Sequence, residues 1–421
     1  MEELKKKKIK KIWNKAIKFI PGGNSFLSKN PTRFPSKDWP IYFSKTKGCC
    51  VWDLNNNKYF DFSYMGVGTN SLGYSNAKID NEISKVIKNG NMSTLNSYEE
   101  VIFAENILKI HPWAKMAKFA KTGAEANAIA LRLARAFTKK NKVIICGYHG
   151  WHDWYLSAKF MKNNYMDTHL FPNLKTMGVP NFLKGFTYSV KYNDLNAIRN
   201  LLKRDNDISA IIMEVQREEL PKKNYLKSIR KICDQNKICL IFDECTTGFR
   251  EVYGGLHMKY KIYPDLAMFG KAIGNGYSLT TVIGKKSIMK KSTNTFISST
   301  FWSERIGFAA GIATLKEMKR VKSWKLLKEK GKYLKIKLKE IAIKNNLNIS
   351  FSGLDALVRF KLHDLKKINY NKIITEKMLK KKILAGDVIY LSTAHSKKLI
   401  DKYIKEMNEV FKNISLIRNK K

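Results

Sequence analysis

From about residue 80 to 320 the chain alternates between amphipathic helical patterns and short, wholly apolar runs. NKVIICG (141–147), ISAIIMEV (208–215) and ICLIFDE (238–244) are such runs. A strand that offers no polar face to water lies inside a sheet covered on both sides. Between them, GAEANAIALRLARAFTK (123–139) and YLKSIRKICDQNK (225–237) carry the helical period. Strand and helix in alternation predict crossover connections, and therefore an α/β fold with a mostly parallel sheet. Before this region GCCVWDLNNNKYFDF reads as two short strands, 49–52 and 58–62, joined by an Asn-rich turn. After about 322 the chain is Lys-rich, with helix, strand and helix patterns and a terminal helix over 397–413. The expected organisation is an arm with small-domain strands (1–65), a large domain (66–320) and a C-terminal small α+β domain (321–421).

The chain has 421 residues, enough for two or three structural units, and 44% of them are hydrophobic. No apolar run reaches the roughly 18 residues of a membrane span. The basic start, MEELKKKKIKKIW, is not followed by a signal-peptide apolar core before Pro21-Gly22-Gly23. A cytoplasmic location without membrane association is expected. The net charge of +44 raises nucleic acid as a partner. Its lysines are spread over the whole length, however, and no aromatic-plus-Arg motif or zinc-finger spacing accompanies them. We read the charge as solvated surface, with no nucleic-acid partner. The six cysteines contain no CxxC pair, so reduced thiols and no metal site are expected.

Unusual residues close the buried runs, which is where open parallel sheets hold ligands. In AKTGAEAN, Thr122, Gly123 and Ala124 open the long helix. They form either a phosphate cup at the positive end of the helix or an ordinary Thr cap. GYHGWHDWY crowds Tyr148, His149, Trp151, His152, Trp154 and Tyr155 together, for packing or for stacking on a flat ring. Asp243 ends an apolar strand, and a buried carboxylate there needs a cationic partner. Arg250 or the protonated nitrogen of a bound ring could serve. Lys271, in DLAMFGKAIGNGYSLTTVIG, sits among apolar residues and glycines. Desolvation lowers an amine pKa, and a neutral amine attacks carbonyls to form a Schiff base. In this order the four features fit pyridoxal 5'-phosphate.

The chain resembles the class III (subgroup II) pyridoxal-phosphate aminotransferases, and within them the glutamate-1-semialdehyde aminomutase branch. TGAEANAIALRLARAFT is similar to that family's phosphate-cup helix, GYHGW to its ring-stacking turn, IFDECTTGFR to its Asp strand and FGKAIGNGYSL to its lysine loop. VWDLNNNKYFDF resembles its first hairpin, with Asn in place of the usual Gly. PGGNS, AAGIATL and YLSTAHS are also similar. The resemblance implies the fold type I, aspartate-aminotransferase-like architecture: a large domain with a mostly parallel seven-stranded sheet, plus a smaller α+β domain. It implies Lys271 as the Schiff-base lysine and proton shuttle, Asp243 on the ring nitrogen and Tyr148 over the ring face. Thr122, Gly123 and Ala124 would hold the phosphate, and His149 and Glu214 would join the cofactor-binding residues. Thr300, in SSTFWSERIG, would reach the cofactor phosphate of the other subunit, so a homodimer with shared active sites is implied.

The departures surround the substrate. GNGYS replaces the family's GGGxP after the lysine, and SER (303–305) replaces GNP after the threonine. VQREEL follows Glu214, leaving Gln216 and Glu218 as alternatives for the residue near the ring hydroxyl. Arg33 stands in a context unlike that of the family's early substrate arginine, and the apolar insert ahead of STAHS is absent. The resemblance implies a small-molecule amino donor and a keto or aldehyde acceptor. FLSKNPTRFP, GKAIGNGYS and STFWSERIG are similar to aminotransferases of bacterial surface-sugar or glycan biosynthesis. The alternative is an aminomutase, which moves the amino group within one molecule; STAHS and GVP (178–180) favour it.

Overall fold

A computed structural model describes residues 2–162, 164–169, 175–363, 365 and 368–419. The chain divides into two compact units, Met1–Ala77 with Lys325–Lys421, and Lys78–Trp324. In chain order the first strands are β1 (Phe43–Lys47), β2 (Cys50–Asp53) and β3 (Lys58–Phe62). Then come β4 (Met116–Ala120), β5 (Lys142–Cys146), β6 (Thr187–Ser189), β7 (Ile208–Met213), β8 (Cys239–Asp243), β9 (Leu266–Phe269) and β10 (Thr280–Gly284). Last are β11 (Ile349–Ser352), β12 (Leu357–Leu362), β13 (Ile383–Ala385) and β14 (Val388–Tyr390).

The second unit is built on one seven-stranded sheet, in the order β4-β10-β9-β8-β7-β5-β6. From β9 to β6 every neighbouring pair is parallel. Three of the links are helices, Gly123–Thr138, Leu195–Arg204 and Tyr225–Gln235. The link from β9 to β10 has only a short 3-10 turn, Lys271–Gly274. A parallel return needs a crossover of a dozen or more residues, so this short link forces β10 to come back antiparallel. β10 pairs antiparallel with β4 as well, which restores β4 to the direction of β9. The mostly parallel seven-stranded sheet expected from the resemblance is thus present, with one reversed strand.

The predicted runs 141–147, 208–215 and 238–244 are β5, β7 and β8. Each observed strand is shorter because its end residues leave the ladder for a loop. All six residues of β7 are buried. Val143, Ile145, Ala210, Ile212, Ile241 and Met268 pack with Ile129 and Leu133 of the 123–138 helix in one core. Each such large apolar side chain contributes about 1.5–3 kcal/mol on burial.

The first unit holds two small sheets, β1-β2-β3-β13 and β11-β12-β14. The predicted hairpin appears as β2 and β3, paired antiparallel. Its turn holds Asn56 at φ 61°, a left-handed conformation that Asn tolerates better than most residues. The core of this unit includes Phe62, Leu334, Leu338, Val358, Phe360, Ile389, Tyr403 and Phe411. The terminal helix, Lys397–Asn419, runs past its predicted end because Ile414 continues the buried stripe of Ile400, Tyr403, Met407 and Val410. The first helix, Glu2–Phe19, lies where an arm was expected. All six cysteines are free. Among the described residues no helix is long and apolar enough to cross a membrane.

Candidate active site

Because β4 to β9 share one direction, their C-terminal ends lie along one edge of the sheet. Thr122, Tyr148, Glu214, Asp243 and Lys271 all stand at or just beyond those ends.

Asp243 ends β8 and is buried. Its Oδ2 accepts from Asn127 Nδ2 and sits against His149 Nδ1, both at 2.9 Å. Its Oδ1 accepts the Cys245 backbone N–H at 3.0 Å. Burial alone would raise this carboxyl, yet the contacts from His149, Asn127 and Cys245 together hold it below the ordinary aspartate value. The carboxylate therefore stays ionised at the sheet edge. Arg250 is also buried, but its Nε donates to the Thr246 carbonyl at 3.2 Å. His149 is buried too, and its Nε2 has no hydrogen-bond partner among the described residues.

Lys271 follows β9 through Gly270, with φ 48° at the start of the turn that returns as β10. The turn is left-handed again at Asn275, φ 43°. Burial pushes the Lys271 amine below its ordinary value, against an upward pull from the Cys245 side. Its Nζ donates to Thr246 Oγ1 at 2.8 Å.

At the 123–138 helix, Thr122 is the N-cap of a complete capping box. Glu125 Oε2 accepts the Thr122 N–H at 2.7 Å and the Thr122 hydroxyl at 3.0 Å, and Glu125 N–H returns to Thr122 Oγ1 at 3.3 Å. Of the two alternatives left by the sequence, the Thr cap is what the structure displays, and it leaves the helix start open to an anion as well. Thr122 caps the helix, and the N–H groups of Gly123 and Ala124 keep no acceptor among the described residues. Those two donors, at the positive end of a 16-residue helix, suit an anion. Thr280 Oγ1, at the start of β10, donates to the Thr122 carbonyl at 3.1 Å and ties the cup to the lysine turn.

The turn after β5 brings Tyr148 against Glu214, whose Oε2 accepts the Tyr148 N–H at 3.1 Å. A Cβ on Gly147 would lie 2.7 Å from the same Glu214 oxygen, so only glycine lets the carboxylate sit there. A Cβ on Gly150 would lie 2.8 Å from Ala124 Cβ, so this turn also rests directly on the cup helix. Arg217 lies 5.8 Å from the Tyr148 ring and 3.5 Å from Glu214 Oε2. Gln216 is buried and accepts from Tyr260 at 3.0 Å, whereas Glu218 is exposed.

Thr300 is exposed, on the short turn Thr300–Ser303. The turn is anchored by Trp302, whose Nε1 donates to Glu125 Oε1 of the capping box at 3.0 Å. Lys121, beside the cup, pairs with Glu304 just after it. Arg305 reaches the Glu99 carboxylate at 2.6 Å and the Gly90 carbonyl at 3.0 Å.

Asn127, Thr246 and Arg217 were not singled out from the sequence. Asn127 carried a signal: it is a polar residue among Ala126, Ile129 and Ala130 on the buried side of the helix. Thr246 and Arg217 lie in loops without periodicity, and nothing marks them there. Among the described residues no cluster of His, Cys, Asp or Glu could hold a metal ion.

These residues fit pyridoxal phosphate. Among the described residues the cup offers two unengaged N–H groups to a phosphate and His149 Nε2 is unpartnered, while the edge carboxylate is ionised and the amine is held below its usual value.

The family profile Aminotransferase class-III matches residues 34–411. A 3-aminobutyryl-CoA aminotransferase of Cloacimonas acidaminovorans (strain Evry) is 31% identical, over 84% of this chain and 83% of its own length. A glutamate-1-semialdehyde 2,1-aminomutase of Methanocaldococcus jannaschii is 30% identical, over 98% and 99%. Among solved structures, the FumI protein of Sphingopyxis sp. MTA144, in a form carrying PLP, superposes with a TM-score of 0.87 at 23% identity, over 96% of each chain.

Proposed function

The chain belongs to the class-III aminotransferases, and we propose that it carries an amino group from a small-molecule donor to a separate keto or aldehyde acceptor, with Lys271 as its cofactor lysine. The observation that carries this reading is the Lys271 amine, pushed below its ordinary value by burial at the same sheet edge as an ionised, buried Asp243. Pyridoxal phosphate, when bound, supplies an aldehyde that condenses with amines and a ring that takes up electrons from the substrate carbon.

The protein's residues do the rest. Lys271 would hold the cofactor through Nζ, and its amine, when free, would serve as the base that takes the proton from the substrate carbon and as the acid that gives it back. Asp243, kept ionised by His149, Asn127 and Cys245, holds the ring nitrogen protonated. Gly123 and Ala124 bind the phosphate through backbone N–H groups, with Thr122 locking the helix start, and Tyr148 covers the ring. Glu214 fixes the Tyr148 turn from below. Thr300 belongs to the site of a second copy in a homodimer. Its exposure supports this, as do the exposed apolar residues Leu95, Tyr98, Val101, Phe296 and Phe301 on the same and adjoining segments. The acceptor class we propose is the keto group of a sugar or glycan precursor, on the strength of the substituted segments 275–278 and 303–305.

A second reading, an aminomutase, is favoured by the relative of that name that spans 98% of the chain. One experiment separates the two. The holoenzyme's visible band is followed with a panel of amino donors, with keto-sugar acceptors and with glutamate 1-semialdehyde. A band lost with a donor and recovered only with an added acceptor is the expected result. Turnover of the semialdehyde without any acceptor would replace it by the aminomutase. A band that persists in Lys271→Ala would remove the role of Lys271.

A further inference from the structure

The turn after β8 carries the motif segment Cys245-Thr246-Thr247. Its backbone is tightly held. Glu244, fully buried, accepts the Thr247 hydroxyl at 2.6 Å and the backbone N–H groups of Leu256 and His257 at 2.7 and 2.8 Å. Gly248 N–H returns to the Glu244 carbonyl at 2.8 Å, and a Cβ there would lie 2.6 Å from the Phe269 ring. Arg250 secures the Thr246 carbonyl itself. In this run from 241 to 250, Thr246 is the one residue that is not fully buried, and Lys271, at the head of a buried turn, is likewise half-buried. The two side chains meet at 2.8 Å, where Thr246 Oγ1 is the one hydrogen-bond partner of Nζ among the described residues. A β-branched side chain is stiff at χ1, so a fixed backbone fixes this hydroxyl.

A lysine that bonds a cofactor and gives it up again in every half-reaction needs a second place for its nitrogen. We propose that Thr246 is that place: its hydroxyl receives the Lys271 amine when the donor displaces it and keeps it aimed at the substrate carbon. Thr246 is a positioning residue in this scheme, since it acts through Lys271. The inference rests on the reading of Lys271 as the cofactor lysine. The charged or titratable groups around the amine, Cys245, Glu214, Arg217 and Arg250, are left in place by any change at Thr246.

The test compares Thr246→Val, which keeps the shape and removes the hydroxyl, with Thr246→Ser, which keeps the hydroxyl. In the full-length holoenzyme, a single half-reaction with the donor is followed by the loss of the visible band. Thr246→Val slows this step about tenfold with donor affinity unchanged, and Thr246→Ser recovers it to within about twofold. The second readout needs no turnover. In the cofactor-free protein, the pH midpoint for acetylation of Lys271 by acetic anhydride is read from the modified peptide by mass spectrometry. Losing an acceptor for the ammonium form moves that midpoint down by about one pH unit in Thr246→Val, and Thr246→Ser restores it. Equal midpoints and equal half-reaction rates in the three proteins would overturn the proposal while leaving Lys271 in its role. A visible band that survives in Lys271→Ala would overturn the underlying reading, and the proposal with it. Should Thr246→Val not fold, Thr246→Ala gives the same two readouts.

Discussion

Two buried histidines, both in motifs shared with the aminotransferases, have opposite situations. His395, in STAHS of the first unit, has every ring nitrogen occupied. Its Nδ1 accepts the Ser392 backbone N–H at 3.0 Å and lies 3.0 Å from the Ser392 hydroxyl, and its Nε2 meets the Asp61 carbonyl at 2.9 Å. His149, at the sheet edge of the second unit, spends Nδ1 on the Asp243 carboxylate and leaves Nε2 without a partner among the described residues. A motif residue whose polar atoms are all satisfied within its own fold is a clasp. One that supports an ionised carboxylate and keeps an atom in reserve marks a candidate site. This bears on function directly. STAHS was one of the two features, with GVP (178–180), that favoured an aminomutase in the sequence, and its histidine is spent on joining Asp61 to Ser392, which says nothing about substrate.

The comparison can be broken most severely at the carboxylate. Asp243→Asn keeps the shape and removes the charge, and kcat is expected to fall about 10²- to 10³-fold while the thermal midpoint hardly moves. A stopped assay and a melting curve on the same preparation check both. If His395 is a clasp, the pattern reverses. His395→Ala orphans the Ser392 N–H and the Asp61 carbonyl and opens a cavity, so unfolding in urea should show a loss of about 2–4 kcal/mol. The kcat of the protein that remains folded should stay within about twofold. At the other histidine, His149→Phe should lower kcat about 10- to 100-fold with a smaller stability change, since the carboxylate loses an aligning partner. A stability loss larger than the catalytic one would erase the distinction drawn here.

A more gradual effect is in the pH dependence of unfolding. Burial lowers His395 to about 4 in the folded chain, from an ordinary value of 6.5. The folded state then binds fewer protons than the unfolded state between those values. Stability from this group is complete above pH 6.5 and drains away as the pH falls towards 4, by at most about 1.4 kcal/mol per pH unit. His111 in the second unit, also lowered to about 4 by burial, adds a like slope. Urea unfolding measured from pH 7 to 4 should therefore be flatter in His395→Ala than in the unaltered chain.

Much of the fold was legible because the parallel strands are buried on both faces. β5, β7 and β8 read as continuous apolar runs, and the residue types at their ends, Tyr148, Glu214 and Asp243, stood out against them. β10 was harder to read. TTVIG has the composition of a strand, but its direction follows from the shortness of the turn before it rather than from any residue within it. The site was legible where a polar residue interrupted an apolar pattern, as at Asp243 and Lys271. It was not legible where partners meet through tertiary folding alone. The Thr246 hydroxyl and the Lys271 amine lie 25 positions apart, and the capping box and Trp302 lie 177 apart. No local pattern records such pairs.

The reversed strand has a consequence for the order of assembly. The phosphate-cup strand β4 has β10 as its neighbour in the sheet, and the hydrogen bond from Thr280 to Thr122 spans 158 positions. A chain emerging from the ribosome exposes the cup helix early, but the wall against which that helix starts arrives only with residues 280–284. Every loop between must close before the pairing forms, and such non-local contacts are slow to form. The candidate site is therefore expected to form late in folding, and a nascent chain that ends before β10 would have Lys271 without the 123–138 helix start aligned to it.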